Sequence, residues 1–317
     1  MDFTEIKQQN VSVLGEGVFC QSKCNQDNVT WVDITGHFIH TILPHRSHDI
    51  TQLYTPSITH VPTLDHPSLI IPIKSSPDHH LVAFKNSIVR WKTYTRTIDK
   101  IYATFNDPEV RFNDGKCDPL GRLWIGTTHL TNKPNSATLY RMDSEGLIDG
   151  NESNVGGGVK YMLTPVITGV SISNGIAWSL DGAFMYYIDT PKRAIAVYSY
   201  DLSSGQIINP TTPFCLFDLS HLAGVPDGMN IDSLGRLWVA FWDGSHISCI
   251  DPNNHQIFSI DLPVSRPTNV AISHHIPGRL YVTSAYNEVT QDGGYLMIVD
   301  TNEQFVNGAS HEFREFD

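Results

Sequence analysis

Two stretches of this chain, Asp118-Pro-Leu-Gly-Arg-Leu-Trp-Ile-Gly-Thr127 and Asp232-Ser-Leu-Gly-Arg-Leu-Trp-Val-Ala240, are nearly the same sequence. Each is a polar turn ending in Gly that runs into a short apolar strand. Looser copies are Leu180-Asp-Gly-Ala-Phe-Met-Tyr-Tyr-Ile-Asp189 and Ile276-Pro-Gly-Arg-Leu-Tyr-Val-Thr283; degenerate ones are Asp27-Asn-Val-Thr-Trp-Val-Asp33 and Asp78-His-His-Leu-Val-Ala-Phe84. With the turns placed at Asn28, His79, Gly121, Gly182, Gly235 and Gly278, six units follow one another at about 50 residues per step. A period of this length marks a repeat architecture, and each unit has room for four short strands.

The runs between the turns are rich in β-branched and aromatic residues, as in Ala194-Ile-Ala-Val-Tyr-Ser-Tyr200 and Phe214-Cys-Leu-Phe217, and Gly, Pro, Asn and Asp break them up. That is strand-and-turn chemistry. No 3.6-residue apolar period persists for three turns, which argues against a helical fold. The expectation is an all-β protein, a six-bladed β-propeller with four-stranded blades, with a β-sandwich as the alternative. No change of composition divides the chain, so residues 1–317 are read as one domain and Gly156-Gly-Gly158 as a loop within a blade.

Composition narrows the partners. Thirty-three Asp+Glu against 21 Lys+Arg leave a net charge of −12, with no basic run. Nucleic-acid binding depends on cations that neutralise phosphates, so nucleic acid and anionic membranes are not expected partners. No apolar run approaches the ~18–20 residues that span a bilayer. The N-terminal MDFTEIKQQN lacks the features of a secretory signal, and the five cysteines (Cys20, Cys24, Cys117, Cys215, Cys249) are odd in number and scattered. Both point to a cytoplasmic protein with mostly free thiols. Cys20 and Cys24 could pair or bind a metal, but no second Cys/His pair completes a zinc pattern. The sequons at Asn10, Asn28 and Asn151 carry little meaning in such a compartment.

In a propeller, equivalent positions on the innermost strands converge on one axis. Eight residues before the turn glycines Gly121, Gly182 and Gly235 stand Asn113, Asn174 and Asp227, each in a short polar motif: Arg111-Phe-Asn113-Asp-Gly, Ser173-Asn174-Gly and Pro226-Asp227-Gly. The first unit offers Glu16 in Leu14-Gly-Glu16-Gly, at a spacing that needs an insertion; the second has apolar Ile71 and the sixth Thr268. Asn-Gly and Asp-Gly alone would read as turns, but three copies in one register read as a site. Glu16, Asn174 and Asp227 are hard oxygen donors. Converging carboxylates repel unless a cation balances them, and an all-oxygen set suits Ca²⁺, Mg²⁺ or Mn²⁺ better than structural Zn²⁺.

At these residues the sequence resembles the SMP-30/gluconolactonase/LRE family, which includes regucalcin, sugar lactonases and luciferin-regenerating enzymes. The matching segments are LGEG at 14–17, RFNDGKCDPLGRLWIGT at 111–127, SNGIAWSLDGAFMYYIDT at 173–190, PDGMNIDSLGRLWVA at 226–240 and RLYVTSA at 279–285. The resemblance implies a six-bladed propeller with one catalytic divalent metal on Glu16, Asn174 and Asp227, and substrate contacts from Arg111 and Asn113. Ca²⁺ is the expected ion, with Zn²⁺, Mn²⁺ and Mg²⁺ as alternatives. Two departures stand out. Gly17 is followed by Val18-Phe19-Cys20 rather than by Pro and an aromatic. The loop after Thr127, which in the family often holds an acidic substrate contact, reads Thr128-His129-Leu130-Thr131, making His129 a candidate pocket residue.

The expected activity is opening of a small lactone, most simply an aldonolactone such as gluconolactone, with the metal as Lewis acid and Asp227 as both ligand and general base. A related possibility is an ester or organophosphate hydrolase on the same metal. The alternative from another class is a non-enzymatic calcium-binding regulator or scaffold. Motifs of other chemistries (G-x-S-x-G, H-E-x-x-H, a P-loop, G-x-G-x-x-G) are absent from the sequence. The pairs His79-His80 and His274-His275 are read as solvated turn residues between blades.

Overall fold

The computed structural model describes residues 2–6, 12–23, 26–42, 57–60, 66–93, 95–147, 159–301, 305 and 311–315. Cys24, the sequons at Asn10 and Asn151 and the Gly156–Gly158 run lie outside them. The described strands form six antiparallel sheets. The first strand, β1 (Asp2–Ile6), has no partner near it in sequence; it pairs with β25 (Leu296–Asp300), from Asp2 opposite Asp300 to Ile6 opposite Leu296. It thereby completes a sheet whose other members are β24 (Arg279–Ser284) and β23 (Pro267–Ile272).

The other sheets are consecutive in the chain. Blade one holds β2 (Gly15–Lys23), β3 (Gln26–Asp33), β4 (Phe38–Ile42) and β5 (Ser57–His60); blade two holds β6 (Leu69–Ile73), β7 (Ser76–Phe84), β8 (Ser87–Lys92) and β9 (Thr97–Thr104). Blade three holds β10 (Val110–Cys117), β11 (Leu123–His129), β12 (Ala137–Leu147) and β13 (Val159–Val170). Blade four holds β14 (Ser173–Trp178), β15 (Phe184–Asp189), β16 (Ala194–Asp201), β17 (Gln206–Ile207) and β18 (Cys215–Asp218). Blade five holds β19 (Val225–Ile231), β20 (Leu237–Trp242), β21 (His246–Ile250) and β22 (Ile257–Asp261). The first strands β2, β6, β10, β14, β19 and β23 touch one another in turn, and β23 meets β2. The ring closes as a six-bladed propeller. Blade four departs from the four-strand expectation: both β17 and β18 pair with β16, so its outer edge is split in two. Among the described residues the only helical element is a 3₁₀ turn, Thr190–Lys192, and no helix is long and apolar enough to cross a membrane.

Burial falls from hub to rim. β6, β14 and β23 are buried at every residue, whereas β9 and β22 are mostly exposed or half-exposed. The apolar core is correspondingly divided into six slabs, each between neighbouring blades. Leu69, Ile71 and Leu81 of blade two meet Phe112, Ile125 and Met142 of blade three, for example, and Trp238 and Ala240 of blade five meet Val270 and Val282 of blade six. Each Val, Leu, Ile, Phe or Met among them contributes about 1.5–3 kcal/mol relative to exposure.

The repeated turn has a plain cause. Asp118 and Asp232 are fully buried carboxylates. Asp118 accepts the backbone N–H of Leu120 and Arg122, the Arg122 Nε–H at 2.6 Å and the Tyr200 hydroxyl at 2.6 Å. Asp232 accepts the N–H of Leu234 and Arg236, the Arg236 Nε–H at 2.8 Å and the Trp238 indole N–H at 3.0 Å. The Gly between them takes the left-handed conformation, φ 84° at Gly121 and 80° at Gly235. In the degenerate copies the expected turns are displaced. Asn28 and His79 lie inside β3 and β7, and the hairpin of blade two turns at Lys74-Ser75. His79-His80 therefore sit on a strand, with His79 3.1 Å from Asp99 and His80 bonded to Thr93. His274-His275 lie in the turn between β23 and β24, within a blade rather than between two.

Candidate metal centre and substrate mouth

The pairing of first with second strand slips by one residue at the same place in four blades: between Glu16 and Phe19, Phe112 and Gly115, Ser173 and Ile176, and Pro226 and Met229. Each slip sets two residues of the inner strand against one of its partner, a β-bulge that re-aims side chains. The bulged pairs are Gly17-Val18, Asn113-Asp114, Asn174-Gly175 and Asp227-Gly228. The motifs that resembled turns are thus bulges in buried strands. In blade six the slip is at Thr268, and in blade two it lies at the other end of the strand, past Ile71, which stays in the core. Glu16 stands one place before the register position, which Gly17 occupies at φ 56°. Its carboxylate makes up the step with one more methylene than Asp.

Neighbouring inner strands close in where the bulges carry Gly. A Cβ on Gly175 would lie 2.6 Å from Met229 Cβ and 2.8 Å from Asp227 O; on Gly228 it would lie 2.4 Å from Asn269 Cγ. Acidic residues at the ends of second strands fix the approach to the hub. Asp33 accepts the N–H of Val13 and Leu14, both at 3.0 Å, just ahead of Glu16. Asp189 does the same for Ser171 and Ile172, ahead of Asn174.

Five of the predicted residues meet at this mouth. Thr190 donates to the Pro226 carbonyl (2.9 Å), which can only accept. Thr190 Oγ1 accordingly accepts from Asn174 Nδ2 (2.7 Å), so Asn174 Oδ1 faces the other way and accepts from Asn113 Nδ2 (2.9 Å). Asn113 Nδ2 also donates to Ser173 O, and Asn113 Oδ1 accepts from Arg111 Nη1 at 2.8 Å. The chain from guanidinium to peptide carbonyl fixes the orientation of both amides.

The charges beside this chain are concentrated. Burial raises the Glu16 carboxyl well above the usual range, and the charges of Asp227 and Asp114 add to the effect. Burial likewise raises Asp227, with Asp114 contributing and Arg111 opposing. Burial lowers the Arg111 guanidinium, against the pull of Glu16 and Asp227. Asp227 is 4% exposed and its Oδ1 has no hydrogen-bond partner. A buried carboxylate oxygen left bare beside a second carboxylate is a strong reason to expect a cation. Glu16, the second lone pair of Asn174 Oδ1 and Asp227 Oδ1 are the donors that would hold it, and an all-oxygen set fits a hard divalent ion.

Sequence reasoning missed three residues of the hub. Asp114, raised by burial, puts its charge close enough to raise both hub carboxyls, Glu16 and Asp227. Lys116 is pushed down to about 8 by burial and donates from Nζ to the Met229 carbonyl (2.7 Å), from blade three to blade five. Thr190 terminates the orienting chain. Asp114 and Lys116 were within reach, since they lie in the same RFNDGK segment; nothing local marks Thr190. His129 is different. It is 7% exposed at the end of β11, opposite Val110. Its Nδ1 accepts from the Thr131 N–H (3.2 Å), and its Nε2 faces Glu109 Oε2 at 3.7 Å. Its ring is thus occupied beside the mouth rather than in the Arg111–Asn113–Asn174 chain.

Residues 14–286 match the SMP-30/Gluconolactonase/LRE-like region. The chain belongs to the SMP-30/gluconolactonase/LRE-like family. Within that family, the "Putative sugar lactone lactonase YvrE" of Bacillus subtilis (strain 168) is 34% identical over 286 residues, covering 90% of this chain and 87% of its own. Regucalcin of Homo sapiens is 28% identical over 280 residues, covering 86% of each chain. A luciferin-regenerating enzyme superposes with a TM-score of 0.80 at 26% identity over 99% of both chains. The fold also matches a regucalcin of Agrobacterium tumefaciens, with a TM-score of 0.77 at 21% identity over 99% of this chain and 98% of that one.

Proposed function

We propose that this protein is a divalent-metal-dependent hydrolase that opens a small lactone, with a sugar lactone as the favoured substrate and Ca²⁺ as the favoured ion. The carrying observation is the unpartnered, buried Asp227 Oδ1 beside Glu16 and the Arg111–Asn113–Asn174 chain. The Bacillus relative's name supports the substrate class.

When bound, the ion would polarise the lactone carbonyl and offset the negative charge that develops there. Asp227 takes the proton of an attacking water, a role its raised affinity for protons suits. Water oxygen bonds to the carbonyl carbon, the ring C–O bond breaks, and Asp227 returns the proton to the departing alkoxide; the product is a hydroxy acid. Arg111 Nη1 is committed to Asn113 Oδ1 and Phe112 O. The remaining guanidinium N–H groups are left to hold a substrate oxygen, and the fixed Asn113 sets the plane of that fork.

Hydrolysis of an aldonolactone panel, with aryl esters and a phosphotriester alongside, tests this with and without EDTA. Lactone turnover that EDTA abolishes and Ca²⁺ restores supports the reading. Calcium binding by calorimetry with no turnover on any substrate replaces it with a calcium-binding regulator.

A further inference from the structure

Asn174 sits on β14 and Asp227 on β19, in different blades. Two donors on separate strands make an ion site only when something holds them in register. One hydroxyl bonds to both strands beside those donors. Thr190 Oγ1 donates to the carbonyl of Pro226, the peptide that leads into Asp227, and accepts from Asn174 Nδ2. Thr190 belongs to neither strand; it opens the 3₁₀ turn that follows β15.

The place of Thr190 is set by its own backbone and not by an ion. Its N–H donates to Ile172 O (3.0 Å), and its carbonyl accepts from the Arg193 N–H at 3.1 Å, with Arg193 in the left-handed conformation at φ 51°. Asp189, the residue before it, holds the Ser171 and Ile172 N–H groups. Thr190 is buried, as is Asn174. The hydroxyl has one proton. With that proton committed to a carbonyl, only lone pairs face Asn174, and these select the NH₂ end of the amide. Turned the other way, Asn174 would set Oδ1 against those lone pairs and its NH₂ against the NH₂ of Asn113. The turned amide would also face the hub with N–H groups, which a cation repels.

We propose that Thr190 is a positioning residue for the metal centre. Without being a ligand, its hydroxyl sets the affinity for the divalent ion by holding Asn174 Oδ1 toward the hub and the Pro226–Asp227 peptide beside it. The inference rests on the metal-dependent reading above, but not on the lactone. The role lies in the oxygen, so Ser suffices at this position and Val, close to Thr in shape, does not.

Calorimetric titration of the full-length wild type, Thr190→Ser and Thr190→Val with Ca²⁺ tests the proposal, at a temperature where circular dichroism shows all three folded. Expected is a Kd within about threefold of the wild type in Thr190→Ser and raised ~10–100-fold in Thr190→Val, the range typical of groups that orient a metal ligand. A purely structural role would lower the unfolding temperature in EDTA and leave the Kd of the folded protein in place. Thr190→Ala, which also lacks the hydroxyl, stands in if Thr190→Val does not fold. The proposal is overturned if the Kd of the variants without the hydroxyl matches the wild type, or if Thr190→Ser binds as weakly as they do. Lactone turnover measured alongside separates the two readings. If the wild type binds Ca²⁺ and opens no lactone, the hydrolase reading fails, and a Kd contrast between Ser and Val still supports the positioning role. A wild type that binds none of Ca²⁺, Mg²⁺, Mn²⁺ or Zn²⁺ overturns both.

Discussion

Blades three and five carry the same turn and opposite chemistry. At the far ends of their first strands, Asp118 and Asp232 collect near-identical sets of donors, and the following Trp124 and Trp238 both pack in slabs between blades. Eight residues before the turn glycines Gly121 and Gly235, in the same bulge, blade three presents Asn113, bonded to Arg111, Asn174 and Ser173, whereas blade five presents Asp227 with one oxygen bare. The turn is a scaffold, and its tolerance is nil because every lone pair has a partner. The bulge is where the repeat is free to differ, since a side chain there meets other blades' offerings and not its own. Repetition conserves the frame and leaves the hub open to specialise.

Exchanging the two hub positions is the hardest test of this contrast. Asp227→Asn removes the base and should cut lactone turnover by ~10²–10⁴-fold while weakening calcium binding. The reciprocal Asn113→Asp should not create a second base: it sets a carboxylate against Asn174 Oδ1 and removes the donor that orients it, so turnover falls as well. Wild-type rates in Asn113→Asp would mean the two positions are interchangeable. The scaffold half of the comparison predicts equality. Asp118→Ala and Asp232→Ala each strand a partly buried Arg and should cost about 3–5 kcal/mol in chemical denaturation. A gap between them approaching the effect itself would show that the turns are not equivalent.

Gly228 stands where blade three has Asp114, because Asn269 of blade six crowds one and not the other. Gly228→Ala should therefore destabilise by about 1–3 kcal/mol through overpacking, read from the same denaturation curves. The smallest effect is electrostatic. Asp227 takes its proton more readily folded than unfolded, so in EDTA it favours the folded state at low pH and disfavours it as pH rises past the ordinary carboxylate range. Asp227→Asn should then be more stable than the wild type at pH 7 in EDTA. The advantage should vanish near pH 4 or when calcium is added. A pH-independent difference in unfolding temperature would remove the like-charge argument.

The propeller was legible because its turn is written in residue types that do one thing: a buried Asp, a left-handed Gly, an Arg four residues on. Where blades one and two lack that set, Asn28 and His79 were placed in turns and lie in strands. Outer strands such as β9 and β22 are largely exposed and leave no apolar pattern to read. The split edge of blade four escaped for the same reason. At the hub, Asn113, Asn174 and Asp227 were readable because they share a register, and Glu16 came with its motif despite standing one place off. A bulge has no composition of its own, so Asn-Gly and Asp-Gly in buried strands looked like turns. Thr190 acts by reaching another blade, at the Pro226 carbonyl, which no local spacing records. His129 was sought on the strength of a departure from the family, and its ring turned out to be engaged by Thr131 and Glu109.

The pairing of β1 with β25 has a consequence for biosynthesis. Asp2 is synthesised 300 − 2 = 298 residues before its partner Asp300. At ~5–20 residues per second, roughly 15–60 s separate the two. Throughout that interval β1 is without the strands it pairs with, and the nascent chain carries an unmated strand that other polypeptides can join. Sealing the circle thus waits until β25 has been made and β1 can dock onto it.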